Sequence, residues 1–338
     1  MPLSKKRISI KFSCFYLSFI PLCFLVIAVV IGSTQSASAM SRLGCLGMGA
    51  AEYLVPGLGY AITKQYDKAI ILGGARWIAS NQVLLALESP NYQEDPEDIY
   101  TTVEAEDSES GKTETTVTLN KETWNVQFYG NLYGNLLFTT WGDLYQNSCQ
   151  PNTETYSLML SPFRFDHFYK KWQFWVPMAI LASNYTYFSE FSKVEYRLGT
   201  GLTKDDLMRE TFPQYYMVGV GEEMLFRGTI QHFFFESFKN TWDLSPSLSR
   251  YLSIFGASTV FAAAHSGTGF TADFATAFAF GVYEGFVYHT SLEEFDLMTA
   301  IAIHAWWDII VSYTILTHSD FSKNQNAEIP ILKIAFRF

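Results

Sequence analysis

Charge is scarce in this sequence. Asp, Glu, Lys and Arg make up 17% of its 338 residues, against about 25% in an average soluble protein. Cysteine is scarce too, with 4 in the chain, which excludes a small disulfide-stapled scaffold. No stripe of Lys and Arg appears, so the electrostatic footprint of a nucleic-acid binder is missing. Neither His-Glu-x-x-His nor His-x-x-Glu-His occurs, so the usual zinc-peptidase signatures are absent. What is abundant is apolar: 49% hydrophobic residues, with 29 Phe, 20 Tyr and 8 Trp. That excludes disorder for the chain as a whole and points toward a membrane.

The net charge of −10 is concentrated. Between Glu94 and Glu122 ten acids face only Lys112 and Lys121, which gives −8 and leaves −2 for the rest. This stretch reads as a solvated, partly disordered polar loop over 88–125 rather than an acidic docking surface, with Thr115–Leu119 as a strand within it. At the N-terminus Lys5, Lys6 and Arg7 precede 21 uncharged residues, Phe12 to Gly32. Ala37-Ser38-Ala39 then gives a small-x-small cleavage pattern. Residues 1–39 are therefore a signal peptide or an uncleaved anchor, with the basic flank cytoplasmic. Only Cys45 and Cys149 lie beyond it. An exported chain can join them as a disulfide, and two buried thiols are as good a reading.

Apolar segments follow along the rest of the chain. Met48–Ile62, broken by Pro56 and Gly57, and Ala69–Leu87, with Arg76 inside, read as a membrane hairpin. Val126–Leu144 carries a GxxxG at Gly130 and Gly134, a pattern that lets helices approach in lipid. Trp172–Ser189, Pro213–Phe238, Tyr251–His265, Phe270–Tyr288 and Leu297–Leu316 follow, with Glu190–Arg209 a polar connection. Their lengths are near the roughly 20 residues that a bilayer needs. Only helices satisfy the backbone across lipid at this spacing. The expected fold is all-α: a polytopic transmembrane helical bundle with a polar loop insertion in the N-terminal half. Its expected parts are the 1–39 signal or anchor, a 40–150 hairpin plus acidic loop, a 151–320 bundle and a 321–338 tail.

Three sites put ionisable groups into apolar helices, where charges are costly and commonly functional. Glu223 and Arg227 are four apart, in the favourable acid-first order. Glu222 points about 100° away, free for proton work. His265 ends the apolar stretch Phe261-Ala-Ala-Ala-His265. His304 and Asp308 share a face one turn apart and can bind a metal, or Asp308 can orient His304. The bland readings are a helix-stabilising ion pair, an interfacial histidine and a satisfied His–Asp pair. Together these residues form a His/Glu toolkit for activating water and stabilising an oxyanion, with or without a metal. Glu284 is a secondary candidate. His232 is a weak one, and His289 and His318 read as interfacial.

The order Glu222-Glu223-Met-Leu-Phe-Arg227, Phe261-Ala-Ala-Ala-His265 and His304-Ala-Trp-Trp-Asp308 resembles the CPBP intramembrane proteases, the type II CAAX prenyl endopeptidases and their bacteriocin-processing relatives. Phe280-Gly281-Val-Tyr-Glu-Gly285 resembles the family's Gly-rich helix. The resemblance covers roughly 170–318. It implies an endopeptidase in which Glu222 is the general base, His265 positions the water, Arg227 holds Glu223, and His304 with Asp308 stabilises the oxyanion. The prenyl endopeptidases more usually have Asn at the last position, and Asp308 donates only when protonated. If a divalent ion such as zinc takes part, Glu222, His265 and His304 are the candidate ligands. The implied partners are the lipid bilayer and a membrane-bound protein or peptide substrate, not nucleic acid. The expected location is a bacterial inner membrane, crossed several times. The rival readings are a catalytically silent binding or immunity relative and a proton-coupled transporter. Against the latter, no internal repeat is visible.

Overall fold

The computed structural model describes residues 42–93, 100–104, 113–186, 194–199, 201–266 and 272–323. The signal or anchor at 1–39, most of the acidic loop and most of the 321–338 tail lie outside the described residues.

Two short helices, α1 (Arg42–Leu54) and α2 (Leu58–Ile62), precede a long one, α3 (Tyr66–Leu87), which widens to π-helix over Ala69–Gly73. The break between α1 and α2 has a local cause. Gly57 adopts φ +86°, and a Cβ there would sit 2.7 Å from the Ala69 carbonyl oxygen, so only glycine fits. The Glu52 carboxylate accepts hydrogen bonds from the freed amides of Gly57 (2.7 Å) and Gly59 (2.9 Å).

The chain continues through strands β1 (Tyr100–Glu104) and β2 (Thr113–Leu119) into α4 (Lys121–Gln146). Then come α5 (Glu154–Met159), α6 (Phe165–Phe168), α7 (Trp172–Ser183) and β3 (Val194–Leu198). A long helical rod follows: α8 (Lys204–Glu223), a π-helical segment (Met224–Gln231), α9 (His232–Glu236) and a second π segment (Ser237–Thr241). Thr203 and Asp206 form a capping box at its start. Helices α10 (Pro246–Ser266), α11 (Ala272–Tyr288) and α12 (Leu297–His318) and strand β4 (Asp320–Lys323) complete the described chain.

The all-α expectation needs correction. The chain is mostly helical, but β1 to β4 form a four-stranded sheet in that order, with β1–β2 antiparallel and β2–β3 and β3–β4 parallel. The predicted strand at 115–119 is thus one of four. The polar connection 190–209 supplies β3 and the first turn of α8. Val117, Leu119, Tyr196 and Leu198 pack with Val311 and Ile315, so the sheet closes the end of the bundle where α4 and α8 begin and α12 ends.

At the other end a disulfide joins Cys45 to Cys149. From there α1 runs back beside α4, where the Trp141 indole donates to the Gly49 carbonyl (2.8 Å). Helix α2 returns, and the Gln65 amide donates to the Cys149 carbonyl (3.3 Å). The segment 42–65 therefore dips in and comes back to the same end. Two fully buried ion pairs fix it and α3 to α4: Arg76–Glu52 at 2.8 Å, with Arg76 also donating to Tyr133, and Lys68–Asp143 at 2.7 Å. Cutting the Cys45–Cys149 link by Cys149→Ser frees a loop of 104 residues and is expected to cost about 2–5 kcal/mol. Thermal unfolding of the purified protein, with mobility on a non-reducing gel, measures it.

Two helices, Tyr66–Leu87 and Leu297–His318, are long and apolar enough among the described residues to cross a membrane. The outer face of α3 is apolar at Ile70, Trp77, Ile78 and Leu85, while Arg76 points inward. Trp172, Trp175 and Ile180 on α7 and Tyr251 and Phe255 on α10 are likewise exposed. Helix α3 thus turns apolar side chains outward and its one arginine inward. The GxxxG glycines make no close helix approach among the described residues: a Cβ on Gly130 or Gly134 would meet nothing within 4 Å.

Candidate active site

The closest helix approaches lie two residues apart on α8. A Cβ on Gly219 would fall 2.5 Å from the Ala305 backbone nitrogen on α12, and one on Gly221 would fall 2.5 Å from the Asn135 carbonyl oxygen on α4. These glycines press α8 against both neighbours just before Glu222 and Glu223, and they set Glu223 opposite His304. The helix then loosens into the π segment carrying Arg227, a feature frequent at functional sites. A regular α-helix was expected here, and the wider turn leaves the i, i+4 pair intact.

All six predicted residues come together. Arg227 Nε lies 3.2 Å from Glu223 Oε2, and the other Glu223 oxygen, Oε1, is 2.8 Å from His304 Nδ1. On the other ring nitrogen, His304 Nε2 is 3.5 Å from Asp308 Oδ2 and 3.9 Å from Glu222 Oε2. His265 Nε2 is 3.3 Å from the same Glu222 oxygen. Glu222, Glu223, Arg227, His304 and Asp308 are buried, and His265 stands at the partly open rim.

Hydrogen-bond chemistry restricts the protons. The Phe261 carbonyl, 2.8 Å from His265 Nδ1, can only accept, so Nδ1 carries a hydrogen. Nε2 then faces a carboxylate oxygen, and two lone pairs do not bond; a proton is shared between His265 and Glu222. Glu223, paired with Arg227, accepts from His304 Nδ1, which leaves His304 Nε2 aimed between Glu222 and Asp308. There too a proton must lie on the ring or on a carboxyl. The arrangement can therefore take up and release protons on two adjoining histidine–carboxylate pairs.

Phe261 has a use that its motif alone did not reveal. Its ring lies 5.1 Å from the Arg227 guanidinium carbon, 4.1 Å from the His265 ring and 6.0 Å from the His304 ring. It forms an apolar floor with a face suited to a cation. Phe280 on α11, 5.4 Å from the His304 ring, adds a wall. Helix α12 is anchored by Asp296, which caps it through the Thr299 amide and pairs with Lys171 and His167. Burial alone would raise the Asp296 carboxyl, but hydrogen bonds from Lys171, Thr299 and His167 hold it below the usual carboxylate range.

The other polar candidates fall elsewhere. His232 bonds the Tyr288 hydroxyl (2.9 Å) and pairs with Glu236. His289, read as interfacial, is fully buried against Phe235 and Phe295. His318 contacts Tyr185 near the sheet. Among the described residues, no three or more His, Cys, Asp or Glu side chains are grouped so as to hold a metal ion. His265 and His304 each face Glu222 Oε2.

Residues 208–310 match the family model described as type II CAAX prenyl endopeptidase Rce1-like. This matched segment, under half of the chain, holds every member of the cluster, and the match supports a CPBP/CAAX protease-like reading of it. No curated protein and no solved structure matches the chain.

Proposed function

We propose that the chain is a multi-pass intramembrane endopeptidase that hydrolyses a peptide bond of a membrane-associated protein or peptide. The observation that carries this reading is the buried Glu222–His265 pair beside a His304 held by Glu223. Glu222 takes a proton from the attacking water, and His265 holds that water and shares the proton. His304 Nε2–H then donates to the oxyanion as the tetrahedral intermediate forms. Arg227 pairs with Glu223, and Glu223 holds the His304 ring turned. The proton on the Glu222–His265 pair passes to the leaving amine.

Seven helical passages run between the disulfide end and the sheet end in this reading: α3, α4, α7, the rod from α8, α10, α11 and α12. The signal or anchor delivers residue 40 to the exported side, which puts Cys45–Cys149 in an oxidising compartment. The sheet then faces the opposite side, in a bacterial inner membrane if the signal's style reports the host. The test compares membrane proteomes of cells carrying the wild type and Glu222→Ala at equal expression. A fragment present only with the wild type supports proteolysis and names the substrate. No difference would favour a silent relative acting as a binding or immunity protein, and ion flux dependent on Glu222 would favour a transporter.

Asp308 stands where the resembled family usually has Asn. In this mechanism it serves the oxyanion as a protonated donor, so an amide should replace it. Asp308→Asn is expected to keep activity within a few-fold of wild type. Asp308→Leu is expected to lose about 10²–10³ in rate. Initial rates of cleavage by the purified variants decide; equal activity of the Leu variant would remove Asp308 from the oxyanion site.

A further inference from the structure

Glu284 is the buried carboxyl that this mechanism does not use. It lies on the face of α11 turned toward the cluster, because Gly281 and Gly285 let that helix close on α10. A Cβ on Gly281 would meet Ser258 at 3.2 Å, and one on Gly285 would meet Ile254 at 2.8 Å and the Gln231 Oε1 at 3.0 Å. Glu284 is fully buried, and among the described residues neither of its carboxyl oxygens has a hydrogen-bond partner. Arg227 Nη1 and Nη2 and Gln231 Oε1, in the same core, are also without one. Glu284 is within electrostatic reach of Glu223 and Arg227 on the rod and of His304 and Asp308 on α12. Helix α10 carries its titratable groups, Arg250, Tyr251 and His265, near its two ends.

Among the described residues Glu222, Glu223 and Asp308 each have an ion-pair partner in the cluster, and Glu284 has none. An isolated carboxylate in an apolar core costs far more than a neutral acid. Orphan donors on Arg227 and orphan acceptors on Glu284 and Gln231 each carry a desolvation penalty, which one or two bridging waters remove.

We propose that Glu284 is a positioning residue for the hydrolytic cluster, acting as a neutral acid that holds the Arg227 guanidinium through bridging water. Arg227 is then fixed from two sides, by Glu223 directly and by Glu284 through solvent. The Glu223–His304 contact that aims His304 Nε2 depends on that fixing. This inference rests on the proposed peptidase reading.

The test uses the full-length protein in lipid nanodiscs. The probe is a quenched fluorescent peptide spanning the bond that the wild type cuts and Glu222→Gln does not. Glu284→Leu, which cannot hold water, is expected to lose about 10–100-fold in kcat with KM nearly unchanged, as for a misplaced catalytic group. Glu284→Gln, which keeps shape and hydrogen bonding without charge, is expected to restore kcat to within a few-fold of wild type. That rescue also separates positioning from a failure to fold. Wild-type kcat in Glu284→Leu overturns the proposal. So does a Gln variant as slow as Leu, which would mean the charge is required, or a change confined to KM, which would mean substrate contact. If wild type and Glu222→Gln cut nothing, the peptidase reading fails and this one falls with it. An active wild type with an indifferent Glu284 sinks this proposal alone.

Discussion

Glu222→Gln is expected to lower the cleavage rate by about 10²–10⁴-fold, the range for removing a general base, while leaving the fold intact. Gln has the shape of Glu and can accept a hydrogen bond from His265, but it cannot take the water's proton. Glu222 Oε2 is the atom that two histidines face, at 3.3 Å from His265 and 3.9 Å from His304. Glu223 differs: it is tied up by Arg227 and by His304 Nδ1. Glu223→Gln should therefore act through His304, lowering kcat less and leaving a water-activated residual rate. Steady-state kinetics on the purified variants, with a melting curve for each, measure both. A Glu222→Gln protein that cuts at the wild-type rate would move the base elsewhere.

Arg76→Met is expected to destabilise the protein by about 3–5 kcal/mol, because it leaves Glu52 as an uncompensated buried charge. Both side chains of the pair are fully buried. Glu52 also ties down the Gly57 and Gly59 amides at the break between α1 and α2, so the damage spreads to the hairpin. Adding Glu52→Gln to Arg76→Met should recover part of the loss, since the orphan charge goes while the amide can still accept from the glycines. Chemical or thermal unfolding of the single and double variants tests this. A loss no larger than that of an exposed pair, about 0–1 kcal/mol, would mean that water reaches Glu52 and that the hairpin is not buried as described.

The members of the candidate site were legible because they are anomalies. Glu222, Glu223, Arg227, His265, His304 and Asp308 are ionisable groups in apolar helices, and helical spacing alone pairs Glu223 with Arg227 and His304 with Asp308. That the three sites merge depends on Gly219 and Gly221, which one reads as glycines in a helix until Ala305 and Asn135 are seen against them. The GxxxG at Gly130 and Gly134 carried the motif without the contact. The sheet was the least legible part. Strands β1, β3 and β4 are four or five residues each, and β4 finds its partner from across the whole catalytic bundle. Periodicity over such short runs cannot distinguish a strand from a polar loop. The pairing of Arg76 with Glu52 was also hidden, because a break at Pro56 and Gly57 has to fold α1 back before the two meet.

The most direct test of the account is hydrolysis in oxygen-18 water. The purified protein in nanodiscs is mixed with the membrane substrate found in cells, and the new C-terminal fragment is weighed by mass spectrometry. The account predicts one heavy oxygen in the new carboxyl group with wild type, and no fragment with Glu222→Gln. Fragments from both proteins at equal rates, or from neither, would contradict the claim that this buried cluster activates water to cut a peptide bond.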